Sequence, residues 1–415
     1  MSQRTKTTSL ALVLLALLAL YGAATTRLFR AHVAVAGNSL EGLETGVRLA
    51  PGNADYARLL ARSRTLGQLD FPRGIAEYQR ALTLNPYSSR GWLDLAAAYQ
   101  MAGDSKRQSE AMQRAVQVDP TTPNVAWEVA TFYIVQGEVQ KAAPHYRTVL
   151  SSQGSETRAV LEVLWPASNQ DASLILDQVL PPNRRAHLDF LRFAAEQKHV
   201  AAANQIWDRL PTLPGPIAAE ETLPYFQMLI EAREEKRALA AWRQLVGMQP
   251  AMAVYQPRPD NLVINGDFEE ELLGGGLEWN FLRHYSVELK VDSLEFHSGN
   301  HSLSATFDQG YAPSLGLTQL VPVDGGGEYQ FSVFTKGDGL TTASGPRLSV
   351  SDAYTGERFF LSEDQRGTTA WKQIESVFRV GPGTRLLKIE IVREPFQSLI
   401  RGKLYLDDFS LRRKR

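Results

Sequence analysis

The 415-residue sequence contains no cysteine, which excludes disulfide bonds, cysteine-ligated zinc and thiol nucleophiles. It also lacks an excess of charge of one sign, because 44 basic and 45 acidic residues leave a net charge of −1. Nucleic-acid-binding proteins normally carry a basic face, so we expect no nucleic-acid partner. The sequence has neither a glycine-rich phosphate loop followed by Lys-Ser/Thr nor a Gly-x-Ser-x-Gly elbow.

One long hydrophobic run is present, at the N-terminus. Arg4 and Lys6 precede the uncharged stretch SLALVLLALLALYGAA (9–24), and two threonines extend it to Arg27. A transmembrane helix needs about 20 such residues. Basic residues ahead of the run predict a cytoplasmic N-terminus and export of the rest. We expect residues 1–30 to be an uncleaved, single-pass anchor in a bacterial inner membrane, with the bulk in the periplasm. A cleaved signal peptide and a buried helix are the alternatives.

A repeat follows the hydrophobic run. Pro51, Pro86 and Pro120 are 35 and 34 residues apart, and Gly154 falls another 34 residues on. A fixed period near 34 is typical of helix-turn-helix repeats.

The clearest repeat runs from Ser89 to Pro120. Leu95 and Tyr99 are four residues apart and share one helix face, while Ala96 is small enough to admit a neighbouring helix. A Gly-Asp pair separates the two helices, and a proline ends the second one. The residues that we assign to packing between helices are Trp92, Leu95, Ala96, Tyr99, Ala115, Pro120, Tyr133 and Tyr146.

These positions resemble the tetratricopeptide repeat (TPR) family over about residues 38–154. Residues 155–250 continue as helix pairs in poorer register. We therefore predict one α-solenoid over residues 31–254, with its clearest repeats at 53–154. Stacked hairpins bury their faces on one another and leave a groove, and the resemblance implies that this groove takes a protein partner.

From residue 261 the apolar period becomes two. Segments such as SVELKVD (286–292), YQFSVFTKG (329–337) and RLLKIEIVRE (385–394) alternate in this way, and glycine-rich turns separate them. Seven or more such strands predict an antiparallel β-sandwich over residues 261–415, after a linker at 255–260. The predicted fold class is thus multidomain, with an N-terminal membrane helix, an α-solenoid and an all-β sandwich.

Three motifs carry a second resemblance. NLVINGDFE (261–269), HSGNHSLSATF (297–307) and LYLDDFSL (404–411) are similar to the jelly-roll carbohydrate-binding modules attached to xylanases and related enzymes. The resemblance implies that the first and last strands pair and close the sandwich. It also implies that Phe268 fills the core.

Many modules of this kind hold a structural calcium ion. The resemblance implies that Asp407 would be its carboxylate ligand, with Asp267 and Glu269 nearby. Calcium takes six to eight oxygen ligands, so carboxylates and loop carbonyls suit it. The alternative is that Asp407 caps a loop by accepting backbone N–H groups. We expect no other cofactor.

Saccharide binding would need exposed aromatic rings beside polar groups. Trp279 and Trp371 are the largest candidates, but each lies where the family keeps a structural aromatic at the start of a strand. Tyr311, Tyr354 and Phe396 lie in or beside loops and are better placed for exposure.

Residue patterns typical of enzymes are weak. Three consecutive glutamates at 269–271 cannot all face one site in an extended loop, although a glycosidase needs two placed carboxylates. His297 and His301 lie in a turn, and Arg283-His284-Tyr285 matches the residue types of a polysaccharide lyase without a second supporting motif. We expect that the protein is not an enzyme.

The architecture resembles that of accessory proteins of bacterial envelope polysaccharide assembly. It predicts a non-catalytic, membrane-anchored scaffold that binds a protein partner through the repeats and a polysaccharide through the sandwich. One alternative is a protein-assembly factor whose sandwich binds no sugar. Another is an accessory to a polysaccharide-degrading enzyme.

Overall fold

A computed structural model describes residues 3–152 and 156–414, with side chains considered from residue 12 onward. It divides the chain into two compact units, residues 1–181 and residues 182–415. Helices form the first unit, whereas the second contains both helices and a β-sandwich. The predicted fold class is therefore confirmed. The predicted Gly154 repeat position lies outside the described residues.

The first unit is helical within the described residues. Its helices are α1 (Gln3–Ala36), α2 (Leu40–Leu49), α3 (Ala54–Arg62), α4 (Phe71–Leu84), α5 (Ser89–Met101), α6 (Ser105–Val118), α7 (Pro123–Val135), α8 (Val139–Ser152), α9 (Thr157–Ala167) and the short α10 (Ala172–Leu174). Single π-helical turns, Ser63–Gly67 and Ile175–Val179, follow α3 and α10.

Local capping explains the hairpin of the clearest repeat. The Ser88 side chain accepts the N–H of Gly91 at the start of α5, and Asp104 accepts the N–H of Arg107 at the start of α6. Such caps satisfy N–H groups that have no partner within the helix. Gly103 lies between the two helices with φ +77°, a conformation that favours glycine.

The predicted packing positions lie between the helices. Leu95, Ala96, Tyr99, Ala115 and Tyr146 are buried, with exposed fractions of 0 to 5%. The other three positions differ. Trp92 and Tyr133 are half-buried, and Pro120 is exposed two residues after α6 ends.

Helix α1 runs without a break from the hydrophobic segment into the first helix pair. Its stretch Leu12–Ala36 contains an 18-residue window with a mean hydropathy of 1.8 and is long enough to cross a membrane. Near the end of α1, Ala31 is completely buried. Helix α2 packs there through Gly42 and Gly46, because a Cβ on Gly42 would lie 2.3 Å from the Ala34 carbonyl oxygen.

The second unit begins with two helix pairs and continues with ten strands. The helices are α11 (Arg184–Glu196), α12 (Val200–Arg209), α13 (Ala219–Glu231) and α14 (Glu235–Met248), and a 3-10 helix, Pro250–Tyr255, follows them. The strands are β1 (Asn280–Phe281), β2 (Val287–Asp292), β3 (Ser302–Gly310), β4 (Ser314–Pro322), β5 (Glu328–Thr341), β6 (Arg347–Asp352), β7 (Arg358–Leu361), β8 (Lys372–Arg379), β9 (Leu386–Val392) and β10 (Ile400–Arg413).

The strands form two five-stranded antiparallel sheets. One sheet has the order β1-β4-β9-β6-β7 and the other has the order β2-β3-β10-β5-β8. Alternate residues of each strand point into the core between them, as in the pattern of β5, where Tyr329, Phe331 and Val333 are buried. This alternation is the source of the period of two in the sequence.

The opening segment closes the sandwich against the last strand. The N–H of Leu262 donates to the Leu411 carbonyl at 2.9 Å, and the Asn261 side-chain amide donates to the Phe409 carbonyl at 3.0 Å. Phe268 is completely buried between Trp279 and Phe409. The filling of the core by Phe268 is thus confirmed. The implied pairing of the first and last strands is wrong as stated, because the segment that bonds β10 is not a strand and β1 pairs with β4.

The glycine triplet at 274–276 lies where the sandwich meets the last helices. A Cβ on Gly275 would lie 3.2 Å from Leu223 of α13, and one on Gly276 would lie 2.3 Å from the Trp242 ring of α14. The Trp242 indole N–H donates to the Tyr255 carbonyl at 2.8 Å, and the Tyr255 hydroxyl donates to the Glu271 carbonyl at 2.7 Å. The α13–α14 pair and the sandwich therefore share one packed boundary.

Candidate functional site

A groove lies on the surface of the clearest repeat, between α4 and α6. Its volume is about 710 Å³. Trp92, Leu95 and Tyr99 of α5 form its floor, and the walls are mostly polar. The residues that line the walls include Gln79, Thr83, Arg107, Glu110, Gln113, Arg114 and Gln117. An apolar floor with amide and guanidinium groups above it can hold side chains of a peptide while hydrogen-bonding its backbone.

Two of the five predicted aromatic platforms are engaged within the protein. Trp279 is completely buried, and its indole N–H donates to the Asn265 carbonyl at 3.0 Å. The prediction of Trp279 as a saccharide platform is therefore wrong, because a buried ring cannot stack on a ligand. The Tyr354 hydroxyl donates to the Ile230 carbonyl at 2.9 Å, and the Arg233 guanidinium lies 4.8 Å from the Tyr354 ring centre.

The contacts of Tyr354 join the β6–β7 loop to helix α13. Burial raises the pKa of the Tyr354 hydroxyl, and the nearby Glu235 carboxylate raises it further. The expectation that Tyr354 is free on a loop is wrong, because both its hydroxyl and one ring face are used within the protein.

The other three predicted platforms reach solvent in different places. Trp371 is half-buried on the outer face of the β2-β3-β10-β5-β8 sheet, with its ring 5.9 Å from that of His297 and 6.4 Å from that of Tyr405. Tyr311 and Phe396 expose 50% and 43% of their surface on loops. The structure thus does not bring the five predicted residues together as one site.

The loops of Tyr311 and Phe396 are joined by a buried arginine that sequence analysis missed. Arg393 is 1% exposed, and its guanidinium donates to the carbonyls of Ala312, Ser344 and Ser398 at 3.0, 3.1 and 2.7 Å. It also donates to the side chain of Thr342 at 3.1 Å. Burial lowers the pKa of Arg393. One side chain therefore fixes three loops at the same end of the sandwich.

Two of the three predicted calcium ligands, Asp407 and Glu269, act as loop caps. Asp407 is fully buried, and one of its carboxylate oxygens accepts the backbone N–H groups of His297 and Ser298 at 2.8 and 3.2 Å. Glu269 likewise accepts the backbone N–H groups of Asn300 and His301. Together the two carboxylates hold both ends of the 297–301 turn. This is the alternative that the sequence left open for Asp407.

One metal-ligand group is present among the described residues. Ligand atoms of His297, Asp407 and Asp408 lie within 4.8 Å of one another, whereas Asp267 and Glu269 are not part of this group. Nδ1 of His297 lies 2.6 Å from Asp408. Calcium prefers an all-oxygen shell, and an imidazole nitrogen at the third position does not suit it. The side chains of His297, Asp407 and Asp408 therefore suit hydrogen bonding within the turn better than they suit calcium binding. Burial raises the pKa of Asp407 to about 6.

A second buried carboxylate orders the opening stretch of the sandwich. Glu278 is 1% exposed, and its oxygens accept the Asn265 side-chain amide at 3.2 Å and the Leu273 backbone N–H at 2.9 Å. Burial raises the pKa of Glu278 to about 8. The alternating pattern gave no reason to place this glutamate inside. The feature of the sequence that could have indicated burial of Glu278 is its position between a glycine-rich loop and Trp279.

No protein-family model and no curated protein sequence matches the chain. Solved structures similar to it include two groups. The MamA protein is 12% identical, with 47% of this chain and 97% of that chain covered and a TM-score of 0.31. The TPR2B domain of yeast Sti1, in complex with pHsp70, is 23% identical, with 28% of this chain and 98% of that chain covered and a TM-score of 0.25.

The second group matches the β-sandwich. TmCBM61, in complex with β-1,4-galactotriose, is 24% identical, with 37% of this chain and 99% of that chain covered and a TM-score of 0.25. The neighbours thus include TPR proteins and carbohydrate-binding modules. The likeness concerns their folds, a helical repeat array in one case and a β-sandwich in the other.

Proposed function

We propose that this protein is a non-catalytic, membrane-anchored scaffold outside the cytoplasm. Its repeats hold a protein partner, and its sandwich contacts a polysaccharide during envelope or exopolysaccharide assembly. The observation that carries the proposal is the groove of about 710 Å³ between α4 and α6, with its apolar floor and polar walls. Helix α1, which is long and apolar enough to span a membrane, supports the anchoring.

The absence of cysteine makes the groove directly testable, because an introduced thiol is the only one in the chain. A photoreactive crosslinker on Gln113→Cys, in the groove wall, should capture a defined partner in cells. The same crosslinker on the exposed Gln100→Cys, which does not line the groove, is the control. Reversal of two groove charges, Arg107→Glu with Arg114→Glu, should abolish the capture. If the captured partner is unchanged by this reversal, the scaffold role fails.

The same thiol tests the location. A maleimide that does not cross membranes should label Gln113→Cys in intact spheroplasts and should not label Ser2→Cys until the membrane is opened. Equal labelling of both variants would contradict the proposed orientation.

The polysaccharide part of the proposal needs a separate test. Native electrophoresis of the full chain in detergent, through gels that contain xylan, galactan, polygalacturonate or alginate, should show retardation by at least one polymer. The protein-assembly alternative, in which the sandwich binds no sugar, is favoured by the burial of Trp279 and by the contact of Tyr354 with helix α13. Retardation by none of the four polymers would support that alternative.

A structural calcium ion beside Asp407 and Asp408 is the alternative to a turn held by hydrogen bonds alone, and a stability measurement distinguishes the two. If it binds, excess calcium should raise the melting temperature of the protein and a chelator should lower it. An unchanged melting temperature would mean that the capped turn at 297–301 is stable without an ion.

A further inference from the structure

The end of helix α2 lies at the level where the uncharged run of α1 ends. The two helices form a hairpin that packs closely, since a Cβ on Gly42 would lie 2.3 Å from the Ala34 carbonyl oxygen. Both Ala34 to Arg27 in α1 and Gly42 to Leu49 in α2 are seven residues, which is about 10.5 Å of helix. Leu49 is therefore level with Arg27, the first charged residue after the run.

The end of helix α4 returns to the same level. The turn from α2 to α3 is tight, because the N–H of Asn53 donates to the Ala50 carbonyl at 3.0 Å, and α3 begins at the next residue. At the far end of α3, a Cβ on Gly74 of α4 would lie 3.2 Å from the Ala61 carbonyl oxygen. Helix α4 then runs back along α3 and ends at Leu84. The turns after α2 and after α4 thus lie on one edge of the repeat unit.

The turn after α4 holds a tyrosine in an exposed position. The Trp92 indole N–H donates to the Pro86 carbonyl at 2.9 Å, and the Asn85 side chain accepts the backbone N–H of Tyr87 at 3.3 Å. Tyr87 nevertheless exposes 81% of its surface, and Leu84 exposes 42%. Single exposed apolar side chains are ordinary on protein surfaces. These two differ because a fixed turn places them on the edge that is level with the end of the uncharged run.

The surface of α1 at this level is apolar too. Leu28 and Phe29, which follow Arg27, expose 55% and 67% of their surface. Residues 7–26 between Lys6 and Arg27 are uncharged, and as a helix they span about 30 Å, the thickness of the hydrocarbon core of a bilayer. A bilayer that this stretch spans therefore has its polar interface at the level of Leu28 and Phe29.

Basic residues lie close to the same level. The exposed basic side chains at the end of the uncharged run and beside the two turns are those of Arg27, Arg30, Arg48 and Arg90. An exposed acidic residue, Asp55 at the start of α3, lies 3.8 Å from the guanidinium of Arg58. The edge therefore carries an excess of positive charge, which complements the phosphate groups of acidic phospholipids.

We infer that the edge formed by the turns after α2 and α4 lies on the membrane surface, where Leu84 and Tyr87 enter the interfacial zone. Arg48 and Arg90 then face the headgroups of acidic phospholipids. Tyrosine suits this zone because its ring is apolar and its hydroxyl group is polar. The inference rests on the proposed membrane anchoring and adds a second, peripheral contact, which holds the repeat unit in one orientation on the bilayer.

Val135 provides a matched position away from the membrane. The Ser89 hydroxyl donates to the Asp119 carboxylate at 3.2 Å, which places the turn before α7 beside the start of α5. Helix α7 leads from this turn and ends 13 residues later at Val135, about 20 Å from the edge. Val135 exposes 70% of its surface, so a probe there is about as accessible as one at Tyr87.

The test uses the full chain in vesicles of phosphatidylethanolamine and phosphatidylglycerol, with a nitrobenzoxadiazole probe on one introduced thiol. The emission of the probe on Tyr87→Cys should shift to the blue, and a spin label near the lipid headgroup should quench it at least twofold. The probe on Val135→Cys should show neither change. A probe on Leu18→Cys, within the uncharged run, should be quenched by a spin label deep in the bilayer and reports the anchoring separately.

Charge reversal tests the basic residues. Arg48→Glu with Arg90→Glu should reduce the quenching of the probe on Tyr87→Cys in the same vesicles, because the edge then repels phosphatidylglycerol. Unchanged quenching would show that the two arginines do not contact the headgroups. Identical melting temperatures of the labelled variants exclude a folding defect.

Three results would overturn the inference, and they differ in meaning. Quenching at Leu18→Cys without quenching at Tyr87→Cys would remove the surface contact but leave the membrane anchor intact. Equal quenching at Tyr87→Cys and Val135→Cys would show that no particular edge faces the bilayer. Quenching at none of the three positions would overturn both the surface contact and the proposed anchoring.

Discussion

Gly276 lies against the indole of Trp242, so closely that a Cβ on the glycine would be 2.3 Å from Cζ3 of the ring. Gly276 also has φ +70°, a conformation that side chains other than glycine rarely adopt. This pair is part of the boundary between the α13–α14 helices and the sandwich. The glycine-rich sequence is thus required by a contact that is distant along the chain.

Substitution of Gly276 should show how much this contact contributes. Gly276→Ala should lower the free energy of unfolding by about 2 to 4 kcal/mol, since it combines overpacking with backbone strain. Gly326→Ala is the control, because Gly326 has φ +75° but nothing within 4 Å of an added Cβ. It should cost only the strain, about 1 kcal/mol. Urea denaturation measures both, and equal losses would show that the Trp242 contact relaxes freely.

The buried guanidinium of Arg393 should be irreplaceable by an amine. Arg393→Lys cannot reach the three carbonyl groups together, and each buried acceptor left without a donor costs about 1 to 3 kcal/mol. We expect a loss of about 3 kcal/mol and faster proteolysis in the loops around Ala312, Ser344 and Ser398.

The nearby Arg358 provides the comparison for Arg393. Its guanidinium bonds Glu394 twice at 2.8 Å, but its side chain is 40% exposed. Arg358→Lys should therefore cost less than about 1 kcal/mol. If the two substitutions had equal effects in denaturation and limited proteolysis, the role of Arg393 in fixing the loops would be wrong.

The pKa of Glu278 predicts a dependence of stability on pH. Its folded-state pKa of about 8 lies above the ordinary glutamate pKa of 4.5. Between these values the folded protein binds more protons at this site than the unfolded chain, so stability falls as pH rises and the loss is complete above about 8. The melting temperature should fall from pH 5 to pH 8 more steeply in the wild type than in Glu278→Gln. Parallel profiles would contradict this assignment.

At the junction of α1 and α2 we expect an exception to the usual effect of a glycine-to-alanine substitution on helix stability. Glycine inside a helix is usually less stable than alanine by about 1 kcal/mol. Gly42→Ala should nevertheless destabilise the first unit, because the Ala34 carbonyl oxygen lies where the new methyl group would be. Gly52→Ala, in a turn with nothing within 4 Å, should be close to neutral. Thermal unfolding in detergent measures the difference, and stabilisation by Gly42→Ala would disprove the close packing.

Patterns with a period were predictable from the sequence, and contacts between distant segments were not. The spacing around Leu95, Tyr99 and Pro120 predicted a helix pair, because each hairpin of a repeat array makes the same local contacts between its helices. Strand β4 escaped notice because a glutamine, Gln319, occupies one of its inward-facing positions. Gln319 is nevertheless buried, since its side chain bonds both the N–H and the carbonyl of Ile264.

The candidate site was harder to predict than the fold for the same reason. Charged residues such as Arg393 and Glu278 are normally predicted to be exposed. Only the folded chain shows the carbonyl groups that Arg393 bonds and the N–H group that Glu278 accepts. The level of Tyr87 relative to the end of the uncharged run likewise depends on how helices α1 to α4 pack, which residue types do not encode.

Helix α1 enters the first helix pair without a hinge, and this has a mechanical consequence. Over 34 residues the helix is about 51 Å long, and a helix turns by about 100° per residue. Inserting one alanine before the buried Ala31 would rotate the first unit by about 100° about the helix axis and raise it by about 1.5 Å. In a membrane the length of the helix would therefore set the height of the groove above the bilayer. The rotation of the helix about its axis would set the direction in which the groove opens.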